Sequence, residues 1–195
     1  IVARFYASEE KVIEAYRRGI VDAVAALTPT RVADILRSDS AVSALHLPRV
    51  FAAFFNQNQA AVFAAAEVRE ALNRATDKDR IVREVLDGFG TVLEYPIPPG
   101  TFGAIEEVIE EPYDPSRAQN EARDLLARSG WKPNSEDGIM EKKTRSETLR
   151  LQFTIATANV PALTETAALL EEMWERVGAD VTVSVFESGD LNQNV

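Results

Sequence analysis

The chain has 195 residues, with 21 Lys and Arg against 31 Asp and Glu, so its formal net charge is −10. A hydrophobic fraction of 46% and a charged fraction of 27% are typical of folded domains and exclude disorder over the whole length. The acidic balance argues against nucleic-acid binding, which depends on clustered Lys and Arg. No stretch has the roughly 20 apolar residues of a membrane-spanning helix, and the lack of cysteine excludes disulfides and thiolate chemistry.

The first third of the chain predicts a strand–helix–strand unit. A strand-like run, Ile1 to Tyr6, precedes a helix that begins after the N-cap Ser8 and ends at Gly19. Residues Ile20 to Leu27 are predicted to form a short buried strand, which would complete a right-handed crossover. Because the chain starts at Ile1 without an initiator Met or a signal segment, we expect it to be a piece of a longer protein. Three shorter segments follow, predicted as a helix and two strands: residues 30–37, 42–47 and 50–55.

The middle of the chain combines two helices with an extended segment. A helix is predicted over Arg69 to Ala75, and Thr76 with Asp79 has capping-box spacing for a second helix up to Leu86. The prolines of Tyr95 to Gly100 remove backbone donors, which excludes a helix or a central strand there. We therefore expect an ordered, extended surface segment.

The last third has the clearest periodicity. A helix is predicted from the N-cap Asp114 to Gly130, and an exposed hairpin or loop over Lys132 to Glu147. Alternating apolar residues predict a strand over Leu149 to Ile155. Apolar residues spaced at 4, 3, 4 and 3 then predict a helix over Pro161 to Val177, and alternation resumes from Val181 to Val185. These elements form a second strand–helix–strand unit.

Residues that would indicate catalysis are scarce. The single histidine, His46, lies in an apolar run and is interpreted as a structural or partly exposed imidazole, in preference to a catalytic one. The paired carboxylates at 106–107 and 110–111 lie in a polar stretch, where a solvated face is the better interpretation than an acid/base pair. Trp174 shares its helix face with Leu170 and Val177, which favours core packing. We expect no enzyme activity, no cofactor and no metal site.

One position suits ligand binding. In open α/β sheets, ligands bind beyond the carboxyl ends of parallel strands, where the next helix begins. In the last unit this point includes Thr157, Ala158 and Asn159, whose polar groups lie beside the free N–H groups of a first helical turn. Asn159 either contacts a ligand or caps its own helix. Thr28 occupies the equivalent point in the first unit, with the same ambiguity.

Several motifs in order along the chain resemble the middle of family 5 extracellular solute-binding proteins, the peptide-, oligopeptide- and nickel-binding subunits of ABC importers. The resemblance extends from about residue 12 to about residue 187. The chain departs from the family pattern in an Ala-rich stretch between Asn58 and Glu67 and in a longer helix after Tyr113. The motifs are Gly19-Ile20-Val21-Asp22-Ala23, Phe55-Asn56, Val68 to Asp77, Gly88, Pro96 to Gly100, Tyr113-Asp114-Pro115, Gly130-Trp131 and the terminal unit.

The resemblance implies the fold class, which is a type II periplasmic-binding-protein-like α/β lobe. It would have a mixed sheet flanked by helices, with an extended proline-rich segment and an exposed hairpin or loop. Residues 1–195 would form a single domain, the second lobe of a two-lobed protein that closes on its ligand by a hinge motion. Ligand contacts would come from Asn56, Tyr95 and residues 157–159 at the cleft facing the first lobe. Some dipeptide-binding members use an arginine in the loop matching residues 156–165 to hold the peptide carboxylate, and this chain has none there.

The implied partners are a peptide or oligopeptide, the membrane permease of an ABC importer and the first lobe of the same protein, with an extracytoplasmic location. A second hypothesis is an effector-sensing domain of a regulator or a membrane-tethered receptor with the same fold. The residues upstream of Ile1 would separate the two, since a lipoprotein-type signal favours transport and a helix-turn-helix favours regulation.

Overall fold

The computed structural model describes residues 1–25, 27, 31–32, 35, 50–98, 101–104 and 113–187. In chain order the helices and strands are α1 (Glu9–Arg17), a 3₁₀ helix (Ala61–Ala64), α2 (Ala66–Ala75), α3 (Lys78–Val85), α4 (Pro115–Arg128), β1 (Lys132–Pro133), β2 (Met140–Lys143), β3 (Thr148–Arg150), β4 (Gln152–Ala158), α5 (Pro161–Glu175) and β5 (Asp180–Phe186). Residues 31, 32 and 35 are also helical, within the predicted helix 30–37. The predicted strand 42–47, with His46, lies outside the described residues.

The second strand–helix–strand unit is confirmed. Strands β4 and β5 pair in parallel, from Gln152 opposite Asp180 to Ala158 opposite Phe186, and α5 connects them. Within the described residues the antiparallel strands β1, β2 and β3 form a separate sheet, which contains the predicted hairpin. The predicted strand 149–155 is interrupted at Leu151. This buried residue joins the two sheets, because its N–H donates to Met140 (2.8 Å) and its carbonyl accepts from Asp180 (2.8 Å).

The hydrophobic core lies between the parallel strands and helices α2, α4 and α5. An aromatic cluster forms one side of it, with ring centroids 4.8 Å apart for Phe63 and Phe153 and 5.7 Å apart for Phe153 and Trp174. Trp174 is 3% exposed, which confirms its interpretation as a core residue. Every residue of this core lies between Phe55 and Val181. Its largest fully buried side chains are Trp131, Leu72, Leu126, Leu151, Val68 and Val177.

The predicted starts of α1, α4 and α5 are confirmed, whereas α2 begins at Ala66, three residues before the predicted Arg69. The side chains of Ser8 and Asp114 accept hydrogen bonds from first-turn N–H groups of α1 and α4. The predicted capping box at Thr76 is wrong, since Asp77 caps α3 by accepting from the N–H of Arg80 at 2.8 Å. The hydroxyl of Thr76 instead donates to the carbonyl of Leu72 at 2.7 Å, so it is unavailable as a cap.

The first predicted crossover unit is not formed by the described residues. Neither Ile1 to Tyr6 nor the described part of Ile20 to Leu27 is a strand, and Phe5 is 95% exposed. Residues 50–55 are likewise outside any strand, although predicted as one. A strand is stabilised by its ladder with a neighbour, and no described segment pairs with any of these three. Residues 95–98 are neither helix nor strand, and residues 95–97 are exposed, as expected, but the backbone bends at residues 94–97, so the expected extended conformation is wrong there.

None of the helices in the described ranges has both the length and the apolar character needed to span a bilayer.

Core packing predicts a large difference between two phenylalanines. Phe63 is 6% exposed within the aromatic cluster, whereas Phe54 is 92% exposed. Phe63→Ala should lower the free energy of unfolding by about 3–5 kcal/mol, because it leaves a cavity. Phe54→Ala should change it by less than about 0.5 kcal/mol. Urea denaturation measures both, and similar losses in the two variants would contradict this account of the core.

Candidate functional site

The carboxyl end of β4 and the start of α5 form the site predicted around residues 157–159. Side chains alternate along β4, so Thr157 lies on the same face as Phe153, whose ring packs against Trp174 of α5. Thr157 therefore faces α5, at the end of the strand from which the chain enters that helix. Thr157 is 8% exposed, and its hydroxyl makes no hydrogen bond with any described residue. The hydroxyl oxygen itself is not one of the fully buried atoms without a partner, so it reaches the surface and is available as a donor and an acceptor.

The first turn of α5 has no side-chain cap. Its N-cap residue is Val160, which has no polar side chain, and Pro161 at the next position has no N–H. The N–H groups of Leu163 and Thr164 both donate to the carbonyl of Val160, at 2.9 and 3.0 Å. In the described structure, this leaves the N–H of Ala162 without an acceptor. The helix start thus keeps one backbone donor for an external oxygen atom.

Asn159 does not cap α5, so that interpretation is wrong. Its Nδ2 donates to Oε1 of Glu187 at 2.9 Å, and its backbone N–H donates to the carbonyl of Phe186 at 2.7 Å. Both contacts fasten the loop to the end of β5. Asn159 is exposed, and Ala158 is 8% exposed. The predicted ligand contacts of Asn159 and Ala158 stay predictions.

Asn56 forms a turn that is attached to the same aromatic cluster. Its Oδ1 accepts from the backbone N–H groups of Asn58 (3.1 Å) and Gln59 (3.2 Å). The neighbouring Phe55 ring lies 6.1 Å from the ring of Trp174. The amide nitrogen of Asn56 donates to no described residue, so this exposed side chain keeps two N–H donors.

The two remaining predicted ligand contacts, Tyr95 and Thr28, are not joined to the strand-end site by any described contact. Tyr95 is 47% exposed, and its hydroxyl has no partner among the described residues. The chain just before it is held by Lys78, which donates to the carbonyl of Leu93 (3.3 Å) and to Glu94 (2.6 Å). No hydrogen bond or ring contact between described residues joins Tyr95 to Asn56 or Thr157. Thr28 lies outside the described residues.

Sequence reasoning missed two groups of this site. One is the backbone N–H of Ala162, and the other is the carboxylate of Glu187, which holds the loop. The first had a visible signal, because an apolar residue followed by proline, Val160-Pro161, marks a helix start without a side-chain cap. The second had none, since its position depends on the pairing of β4 with β5.

Charged pairs stabilise the scaffold and lie outside the loop 156–160, which has no titratable side chain. Arg80 on α3 donates to both carboxylate oxygens of Glu172 on α5, at 3.1 and 3.2 Å, which raises the pKa of Arg80 and lowers that of Glu172.

Burial, with the nearby carboxylates of Asp77 and Asp114, raises the pKa of Tyr113 to about 12. No group of three or more potential metal ligands occurs within the described ranges.

A further pair joins α2 to the hairpin. Lys142 on β2 donates to Glu67 at 2.8 Å, and this hydrogen bond is the main reason that the pKa of Glu67 is lowered, against the opposing effect of burial. The indole N–H of Trp131 makes the smallest contribution in the same direction to the pKa of Glu67. This buried N–H forms no hydrogen bond with any described residue. Glu67 therefore acts as a structural anion at the start of α2.

Comparisons with known proteins cover nearly the whole chain. The family model described as Bacterial extracellular solute-binding proteins, family 5 Middle matches residues 1–194. The chain is 27% identical over 161 residues to the oligopeptide-binding protein AppA of Bacillus subtilis, covering 82% of this chain and 28% of that protein. It is 29% identical over 165 residues to the heme-binding protein A of Haemophilus influenzae, covering 83% and 27%. The chain thus spans about a quarter of the length of these curated relatives.

Solved structures agree with this result. AppA in complex with a nonapeptide has a TM-score of 0.60 and 27% identity, covering 71% of this chain and 26% of that one. The ABC transporter substrate binding protein CtaP of Listeria monocytogenes has a TM-score of 0.69 over 97% of this chain and 35% of that one. Its 19% identity supports the fold alone. The expected α/β class, a type II periplasmic-binding-protein-like lobe, is confirmed.

The contacts of Asn159 predict a small effect on stability when they are removed. Asn159→Ala loses one exposed side-chain hydrogen bond and no helix cap, so we expect a loss of at most about 0.5 kcal/mol. Asp114→Ala removes a true N-cap and should cost about 1 kcal/mol. Denaturation of both variants tests this, and a cost for Asn159→Ala equal to that of Asp114→Ala would show that Asn159 caps α5 in solution.

The Glu67–Lys142 pair predicts a pH-dependent contribution to stability. The folded pKa of Glu67 is lowered, so its contribution is fully present above the unfolded pKa of about 4.3 and is lost as pH falls through the folded pKa. Glu67→Gln should lower the free energy of unfolding by about 1 kcal/mol at pH 7, and this difference should shrink between about pH 5 and pH 3. Denaturant titrations across this range measure the change.

Glu136→Gln is the matched control, because Glu136 is exposed and makes no side-chain hydrogen bond or ion pair among the described residues. Its difference from the native protein should stay within about 0.5 kcal/mol at both ends of the range. A difference for Glu67→Gln that is constant with pH would contradict the charge-based account.

Proposed function

Because the chain belongs to family 5 of the bacterial extracellular solute-binding proteins, we propose that it forms a ligand-capture lobe of the substrate-binding protein of an ABC importer. The observation that supports this most directly is the set of unused donors where β4 ends and α5 begins. The hydroxyl of Thr157 and the N–H of Ala162 lie at the carboxyl end of two parallel strands, where open α/β folds bind their ligands.

The proposed ligand is a peptide or oligopeptide. AppA, named as an oligopeptide-binding protein, is similar over most of this chain, and its structure contains a nonapeptide. The heme-binding protein A is similar to the same extent, so family membership by itself does not select the ligand class. Neutral hydrogen-bond donors favour the peptide, because a peptide backbone offers a regular series of carbonyl acceptors.

In the proposed mechanism residues 1–195 form the second lobe, which closes on its ligand by a hinge motion against a first lobe from the same protein. The open side of the site would then face that lobe. The residues that contact the ligand across the cleft would be Asn56, Tyr95, residues 157–159 and Thr28, of which Thr28 lies outside the described residues. Sites of this kind lie at domain interfaces. The closed protein would deliver the ligand to the membrane permease, from the periplasm or from the cell surface on a membrane tether.

The family name supports this interpretation over that of a regulator's effector domain, since it describes extracellular solute-binding proteins. It also describes solute binding and not catalysis. The loop 156–160 contains no acidic or basic side chain, so solute binding there would rely on neutral groups.

Separating this chain from the rest of the protein should abolish tight binding. We expect residues 1–195 to fold but to bind oligopeptides weakly or not at all, because half of the cleft is missing, while the full-length protein binds them. Isothermal titration calorimetry with a peptide that co-purifies with the full-length protein, identified by mass spectrometry, measures the difference. Sub-micromolar affinity of residues 1–195 alone would contradict the half-site proposal, and full-length protein that retains no peptide would contradict the ligand class.

A further inference from the structure

We propose that Lys78 is a positioning residue for ligand binding, because its ammonium group holds in place the segment that carries Tyr95. This segment is residues 90–97, which we call the strap. The inference rests on the proposed function and adds to it a residue that acts through Tyr95 and not on the ligand itself. Three observations support it: the contacts of the strap, the place of the lysine in its helix and the stiffness of the chain around Tyr95.

Lys78 supplies the hydrogen bonds that join the strap to the rest of the described structure. Its Nζ donates to the carbonyl of Leu93 at 3.3 Å and to Oε1 of Glu94 at 2.6 Å. No other hydrogen bond or ion pair between described residues involves residues 90–97. The polar attachment of the strap in the described structure therefore depends on one side chain.

The contacts of Lys78 favour the strap over its own helix. Lys78 is the first residue of α3, where a cation interacts unfavourably with the helix dipole. Its ammonium group instead makes a charge-assisted hydrogen bond to Glu94, and the two side chains are only 26% and 34% exposed. Hydrogen bonds of this kind are stronger than neutral ones, and partial burial limits their screening by water. The favourable interactions of this lysine are thus those that hold the strap.

The stiffness of the chain carries the position of Glu94 to Tyr95. Tyr95 directly follows Glu94 and precedes Pro96, and Ile97 precedes a second proline, Pro98. Proline fixes its own φ at about −65° and restricts the conformation of the residue before it. Because few backbone conformations remain for Tyr95, holding Glu94 in place also holds the backbone of Tyr95 in place.

Tyr95 is presented for contact with a ligand. It is 47% exposed, its hydroxyl has no partner among the described residues, and the neighbouring Ile97 is 44% exposed. A tyrosine held in this way offers apolar area and a hydrogen-bonding group at a low cost in conformational entropy. Without the contacts of Lys78 the strap gains freedom that must be lost again on binding, which lowers the affinity.

The test measures binding of pentaalanine to the full-length protein by isothermal titration calorimetry. If pentaalanine does not bind, the peptide that co-purifies with the full-length protein replaces it. Lys78→Met removes the ammonium group, keeps most of the apolar stem and should weaken binding about tenfold. Lys78→Arg should stay within about threefold of the native protein, because a guanidinium can donate to the same two oxygens.

Arg83→Met is the matched control. Arg83 is an exposed cation on the same helix and makes no side-chain hydrogen bond or ion pair among the described residues. Its removal should change the affinity by less than about twofold, because no contact of the strap is lost.

A double-mutant cycle with Tyr95→Ala separates positioning from a general loss of structure. Tyr95→Ala should weaken binding about tenfold, and Lys78→Met should weaken it no further in that background, because Lys78 acts through Tyr95. Cleavage by endoproteinase Glu-C after Glu94, identified by mass spectrometry, should become at least about fivefold faster in Lys78→Met than in the native protein. The circular dichroism of Lys78→Met should match that of the native protein.

Native affinity in Lys78→Met, or losses that multiply in the double variant, would overturn the inference while leaving the proposed function intact. Equal rates of cleavage after Glu94 in the native protein and in Lys78→Met would also overturn it. If the native full-length protein binds neither pentaalanine nor a co-purifying peptide, the proposed peptide-binding function fails and the positioning role falls with it. The results therefore separate a wrong positioning residue from a wrong function.

Discussion

The indole of Trp174 is the contact on which the arrangement of this chain depends. Its Nε1 donates to the carbonyl of Leu72 at 3.1 Å and to the hydroxyl of Thr76 at 3.0 Å, so it fixes α5 against the end of α2. Its ring packs against Phe153 on β4 and Phe55 beside the Asn56 turn. A single buried side chain thus sets the positions of the helix, the parallel strand and the turn, which are the three parts of the candidate site in the described core.

Helix α5 is secured at its C-terminal half and open at its N-terminus. Near Trp174, Glu172 pairs with Arg80, and the guanidinium of Arg123 on α4 donates to the carbonyl of Arg176. The other end has no side-chain cap, and Pro161 follows an apolar residue. The packed half supplies rigidity, so the start of the helix can leave donors unused without loss of the fold. A rigid, packed element with an open end is the arrangement expected of a binding site on a rigid scaffold.

Elements that depend on local sequence pattern were predicted correctly from the sequence. Elements that depend on pairing with a distant strand were predicted wrongly. The apolar spacing of residues 161–177 and the Asp114 cap gave correct helices, because helical hydrogen bonds join residues four positions apart. Residues 1–6 and 50–55 have strand-like composition but form no described ladder, since a strand needs a partner supplied by another segment. Thr76 has the residue type of a cap, yet its hydroxyl is taken by Leu72 and Trp174.

The sequence by itself determined the family, the second strand–helix–strand unit and the absence of a cation from the loop after β4. It also indicated Thr157 and Asn159 as polar groups at a strand end. Only the tertiary structure decided which of these groups is already hydrogen-bonded, because that depends on contacts between separate segments. Asn159 is bound to Glu187, while Thr157 and the N–H of Ala162 keep free bonding capacity. That difference arises from the pairing of β4 with β5 and the packing of α5, which no local pattern specifies.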